Sequence, residues 1–155
     1  MAEDILGKKV EYDFTQFIVV GLGNEQYGID IKYIDNIVRM QHITRVPKVQ
    51  SYFKGVINLR GEVIPVMSIR LKMELPEDVI TNSSRIIILK LDSGASIGVI
   101  VDEVKEVVTL DESCIEKVGY DAKEEKQNFI KGVGKINGGL ISLLDLYTVI
   151  GEKEA

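Results

Sequence analysis

The sequence predicts an all-β protein made of two small barrels that arose by internal duplication, with a few short helices. Three observations carry this. Val- and Ile-rich runs of strand length alternate with Gly-, Asn- and Asp-containing turns at close intervals, as in small barrels and sandwiches. A hairpin motif with Lys54-Gly55-Val56 in its first strand returns as Lys131-Gly132-Val133, 77 positions later. A second motif, Tyr27-Gly28-Ile29 through Val38, returns as Ile97-Gly98-Val99 through Val108, with Gly28, Ile34 and Ile37 matching Gly98, Val104 and Val107 at a spacing of 70. Two copies of a unit of about 70 residues make an internal repeat, which decides the architecture before any local reading.

Taken in order, residues 1–12 are charged and unpatterned and read as a flexible arm. Phe14 to Leu22 reads as a strand, Gly23-Asn24-Glu25 as a turn, and Tyr27 to Ile31 alternates like a second strand. Ile31, Ile34, Ile37 and Val38 fit either a short helix or an irregular strand passage. Ile43 to Val46 reads as a short β segment closed by Pro47. Gly55 to Leu59 and Glu62 to Ile69 form a hairpin around the Arg60-Gly61 turn, where glycine supplies a conformation that a Cβ disfavours. Pro65 lacks an N–H, which places its strand at an edge or a bulge.

Residues 70–76 are short and amphipathic, and the polar stretch from Pro76 to Ser84 marks the seam between the copies. Barrels at 13–80 and 81–150 follow, with terminal strands free to cross between them. In the second copy, 85–91, 95–101 and 104–110 read as strands, and 111–127 as a charged loop with room for one short helix. Residues 130–144 form the second hairpin, and Asp145 to Ile150 a closing helical turn.

The totals exclude several functions. A net charge of −5 and the absence of Trp oppose a nucleic-acid binder built on basic grooves and stacking aromatics. One Cys and one His, Cys114 and His42, build neither a disulfide nor a zinc site. The acidic start has no apolar secretory core, and no apolar run is long enough to span a bilayer, so a cytoplasmic protein is expected.

Phe17 to Gln26 begins like a dinucleotide fingerprint, but Gln26 stands where the third glycine belongs. Strand alternation follows where a helix is needed, so a hairpin turn is the better account. Cys114 lies between Glu112 and Glu116, which oppose thiolate formation, and reads as a small apolar residue. No catalytic constellation, cofactor site or metal site emerges, and the chain reads as a binding module rather than an enzyme. The paired positions Ile34/Ile37 and Val104/Val107 are core candidates by type. Because both copies place them after the Gly-containing strand, they also suggest a binding groove between the copies.

Three stretches then resemble one family closely: Tyr27 to Ile31, Phe53 to Gly61 with Val63 to Val66, and Gly98 to Asp102. Over about 15–150 the chain is similar to the CheW family of bacterial chemotaxis coupling proteins. The resemblance implies two five-stranded SH3-like barrels sharing a core. It implies an adaptor and scaffold in signal transduction, without enzymatic activity, that binds the cytoplasmic tip of a methyl-accepting chemoreceptor and the regulatory domain of the histidine kinase CheA. Association with receptor arrays at the inner membrane, without insertion, would follow. The resemblance and the groove together place receptor contacts at Ile34, Ile37, Arg60, Gly98, Val104 and Val107, with Arg60 at the mouth. It places kinase contacts at Val38, Met40, Ile43 and Val46. Family members often carry Glu where this chain has Asn36, so the charge partner of Arg60 is altered. An adaptor of the same family serving a kinase pathway outside chemotaxis is the alternative, and only the partner distinguishes it.

Overall fold

The computed structural model describes residues 2–3, 9–10, 14–117 and 129–151. Within the expected N-terminal arm, β1 (Ala2–Glu3) and β2 (Lys9–Val10) pair antiparallel. The body holds β3 (Phe14–Leu22), β4 (Glu25–Asp30), β5 (Ile34–Arg39), β6 (Phe53–Leu59), β7 (Glu62–Ser68), β8 (Arg85–Lys90), β9 (Ser96–Val101), β10 (Glu103–Asp111), β11 (Ile115–Lys117), β12 (Ile130–Ile136) and β13 (Gly139–Leu144). Two short helices, α1 (Ile69–Lys72) and α2 (Leu146–Ile150), follow β7 and β13. The Ile31–Val38 passage resolves into one 3-10 turn, Ile31–Tyr33, and then β5.

The strands form two sheets, ordered β5-β8-β9-β7-β6 and β10-β3-β4-β13-β12-β11. Each curls into a barrel. In the first, Thr44 bridges to Val56 with two backbone hydrogen bonds of 2.8 Å, so the chain leaving β5 closes onto β6. In the second, β10 runs through a 3-10 turn (Glu112–Cys114) into β11, which pairs with β12. The sheets cut across a division at residue 80. Strands β8 and β9 join β5–β7, while β3 and β4 join β10–β13, so each copy lends its first hairpin to the other copy's barrel. That exchange is why β3 and β8 are buried on both faces. Phe17 and Val19 point into the second barrel, and Ile86 and Ile88 into the first. Ile18, Val20, Ile87 and Leu89 enter a central cluster between the barrels. Near-continuous apolar runs in these strands follow from that double burial, because successive side chains alternate faces.

The repeat holds in detail. Register shifts fall at Phe53/Gly55 and Ile130/Gly132, and at Ile34/Asn36 and Val104/Glu106. Ser68 caps α1 by accepting from the Leu71 N–H, and Asp145 caps α2 by accepting from the Thr148 N–H. Gly28 and Gly98 lie at the parallel β4–β13 and β7–β9 contacts. A Cβ at Gly28 would come within 2.8 Å of Leu143, and one at Gly98 within 2.8 Å of Ile86. Pro65 is not on an edge strand. It sits in the part of β7 that pairs only with β6, one residue before the parallel ladder with β9 begins at Val66.

Candidate functional site

The β6–β7 turn presents Arg60. Arg60 and Gly61 both have positive φ, 54° and 81°, the pattern of a type I′ hairpin. The Asn58 side chain accepts from the Gly61 N–H at 3.2 Å and fixes the turn from below. The Arg60 guanidinium is exposed and makes no hydrogen bond or ion pair among the described residues. Neither Glu62 nor Asn36 holds it. The Asn36 side-chain oxygen instead accepts from the Ile37 N–H at 2.8 Å. Arg60 is thus a long cation in a left-handed conformation that side chains other than Asn and Asp seldom adopt, with no hydrogen-bond or ion-pair partner among the described residues.

The residues expected to line a groove around Arg60 differ in exposure. Ile34, Ile37 and Val104 are half-buried and pack against the central cluster, so they offer their edges at the seam between the barrels. Val107 is 51% exposed and available. Gly98 is not a groove residue. It is buried inside the first barrel, with Ile86, Val66 and Ile88 around the position of a Cβ. Its smallness lets two parallel strands approach, a packing role that sequence spacing alone does not separate from a lining role.

The second predicted set also divides. Val38, Met40 and Ile43 are half-buried and pack on the interior cluster of the first barrel. Val46 is exposed and lies on the wall of an almost wholly apolar dish of 280 Å³, formed with Val49, Gln50, Phe53, Gly55, Val56 and Pro65. Sequence reasoning missed Val49, Phe53 and Val56 here. The available signal was Pro47 ahead of the apolar hairpin and Pro65 within its second strand, two residues that bring no backbone N–H to the surface. Gly55 holds the floor: its φ of 141° and the Thr44 carbonyl, 2.1 Å from where a Cβ would stand, admit no side chain.

Among the described residues no group of His, Cys, Asp and Glu is arranged to hold a metal. Tyr27 has its phenol pushed up to about 12 by burial and by its hydrogen bond to Glu25.

The CheW-like domain model matches residues 16–154. The chain belongs to the CheW family. It is 34% identical to the chemotaxis protein CheW of Bacillus subtilis over 90% of this chain and 89% of that protein. It is 31% identical to CheW of Helicobacter pylori over 89% and 82% of the two chains. Its fold matches the crystal structure of the scaffolding protein TtCheW from Thermoanaerobacter tengcongensis, with a TM-score of 0.76 and 32% identity, over 86% of this chain and 91% of that one. The CheW-like chain is thus a chemotaxis scaffold and adaptor, not an enzyme, with the paired SH3-like barrels of its family. No helix among the described residues is long and apolar enough to cross a membrane.

Proposed function

We propose that the chain couples chemoreceptor cytoplasmic tips to the regulatory domain of CheA, in the cytoplasm and at receptor arrays on the inner membrane. The observation that carries this reading is the unpartnered Arg60 on its fixed turn, separate from the apolar dish at Val46 and Val49. A scaffold that joins two partners needs two such surfaces. Arg60, Val107 and the exposed edges of Ile34, Ile37 and Val104 are assigned to the receptor. A helical hairpin tip meets such a surface through spaced aliphatic anchors and a charged contact. The dish is assigned to the kinase, whose regulatory domain is expected to present a barrel of the same kind. A centre of aliphatic and aromatic side chains with a polar rim is the usual make-up of such an interface.

The test is a capture experiment with immobilised chain, a soluble receptor-tip fragment and the CheA regulatory domain. The expected result is that each partner binds alone and that both are retained together. Mutual exclusion of the two partners would sink the coupling reading. Retention of another kinase in place of CheA would move the chain to a different pathway.

A further inference from the structure

Arg39 and Arg85 are directly opposite each other on β5 and β8. Like charges in that register repel, and a cross-strand pair of this kind destabilises a sheet unless something neutralises it. Among the described residues neither guanidinium has an ion-pair partner. Two acids on the segment that leads to this pocket are engaged elsewhere: Glu77 pairs with Lys54 at 2.7 Å, and Asp78 binds the Ser68 hydroxyl. Arg85 is also aimed. Its Nη1 donates to the carbonyls of Asn82 and Ser84, both at 2.8 Å, which fixes the plane of the guanidinium and leaves its other N–H groups open.

Both arginines line one cavity of 500 Å³ with Met40, Ile80, Thr81, Asn82 and Ser84. The turn beneath is ordered by its own hydroxyls. The Ser84 hydroxyl, in a buried residue, accepts from the Thr81 N–H at 2.9 Å, and the Thr81 hydroxyl accepts from the Ser83 N–H at 3.2 Å. Ile80, 53% exposed, lines it on the apolar side, and Val79, the next residue back along the chain, is 72% exposed. Residues 34–101 carry nine Lys and Arg against six Asp and Glu, in a chain whose net charge is −5. Two arginines in one pocket call for a carboxylate, which the planar guanidinium fork binds through paired hydrogen bonds. The aliphatic rim and the room beyond a single oxyanion call for a peptide around that carboxylate.

We propose that this pocket docks an acidic, aliphatic-flanked segment of a partner protein, with one carboxylate seated between Arg39 and Arg85. The lining of this site includes neither Arg60 nor any residue of the Val46 dish, and the proposal does not depend on the roles assigned to them.

The test is a 15N NMR titration of the full chain with three probes at matched ionic strength: acetyl-Leu-Asp-Glu-Leu-amide, its Asn/Gln counterpart, and inorganic phosphate. The acidic peptide is expected to give saturable shifts at residues 39–40 and 80–85. The neutral peptide should bind at least tenfold more weakly, and phosphate should not saturate over the same range. Arg39→Gln should weaken the acidic peptide at least tenfold while the melting temperature stays level or rises, because the repulsion is relieved. Ile80→Ser should weaken the peptide as well. The proposal is overturned by absent or unsaturable shifts, by equal binding of the neutral peptide, or by phosphate matching the peptide, which would make this a free-anion site. It is also overturned by unaltered peptide binding in either variant, or by a lower melting temperature in Arg39→Gln, which would make the arginine pair structural.

Discussion

Arg70 and Asp102 form a two-pronged ion pair across the junction of the two barrels. Arg70 Nε donates to Asp102 Oδ1 at 3.0 Å, and its Nη2 donates to Oδ2. The same Oδ2 accepts from the Gly23 N–H at 2.7 Å, and the Asp102 N–H donates to the Gly21 carbonyl at 3.0 Å. Arg70 belongs to α1 beside the first barrel, Gly23 to the β3–β4 turn of the second, and Asp102 to the hinge between β9 and β10. One carboxylate therefore ties together the elements that the strand exchange brings side by side.

Burial alone would raise the Asp102 carboxyl. The Arg70 hydrogen bonds, the Gly23 N–H and the Arg70 charge outweigh it and hold the group below its ordinary value. A carboxyl depressed in the folded state contributes stability above its unfolded value, about 3.9, and that stability is lost as pH falls through the folded value. Asp102→Asn should cost about 1–3 kcal/mol near neutral pH. The gap between the two proteins should narrow in denaturant melts below about pH 4. A gap that stays constant down to pH 2 would show that the charge of Asp102 is not what stabilises the junction.

Two glycines should respond to alanine for reasons of space. At Gly98 the new methyl meets Ile86 and Val66, stiff β-branched side chains in a closed barrel, and Gly98→Ala should cost about 1–3 kcal/mol. At Gly55 it meets the Thr44 backbone and opens the bridge to Val56, so Gly55→Ala should cost more, about 3 kcal/mol or above. Urea midpoints would check both. Wild-type stability in Gly98→Ala with weakened receptor binding would return Gly98 to the groove.

The residues proposed for the kinase separate by burial. Ile43 packs on the interior of the first barrel, so Ile43→Asp should unfold that barrel or lower its stability by several kcal/mol, as buried unpaired charges do. Val49 is 43% exposed in the dish, so Val49→Asp should leave melting within about 0.5 kcal/mol of wild type. It should weaken CheA binding by about 2 kcal/mol or more. Titration calorimetry beside a thermal melt would decide it, and full affinity in a folded Val49→Asp protein would move the kinase site off the dish.

How much of this was legible follows from the range of each signal. The hairpins and the duplication were readable because Gly28, Gly98, Gly55 and Gly132 sit where a Cβ collides or the register shifts, so the same residue recurs at the same place. The closing helical turn after Asp145 was equally local. The exchange of first hairpins was less so, since β3 reads the same whether it pairs with its own copy or with β10. The face that Gly98 occupies was hidden for a related reason: strand alternation tells two faces apart but does not say which is interior when both are buried. Arg39 and Arg85, far apart in sequence, meet only through the β5–β8 register. Arg60 stood out as an odd residue for a turn, and the fold gives that oddness its content.

Arg60 is the position where stability and binding should move in opposite directions. Its positive φ costs an L-residue roughly 1 kcal/mol, and Arg60→Asn would create the Asn-Gly pair that type I′ turns favour. No hydrogen bond or ion pair among the described residues would be lost. Arg60→Asn should therefore melt at or above wild type. A receptor carboxylate or helix-terminal carbonyl would lose its charged donor, so affinity for the receptor tip should fall by about 1–3 kcal/mol. CheA binding should not change. In a reconstituted array, where many sites engage at once, the loss should look larger than in a one-to-one titration. A variant that is more stable and binds the receptor tip as tightly as wild type would leave the strained arginine without a function at this surface.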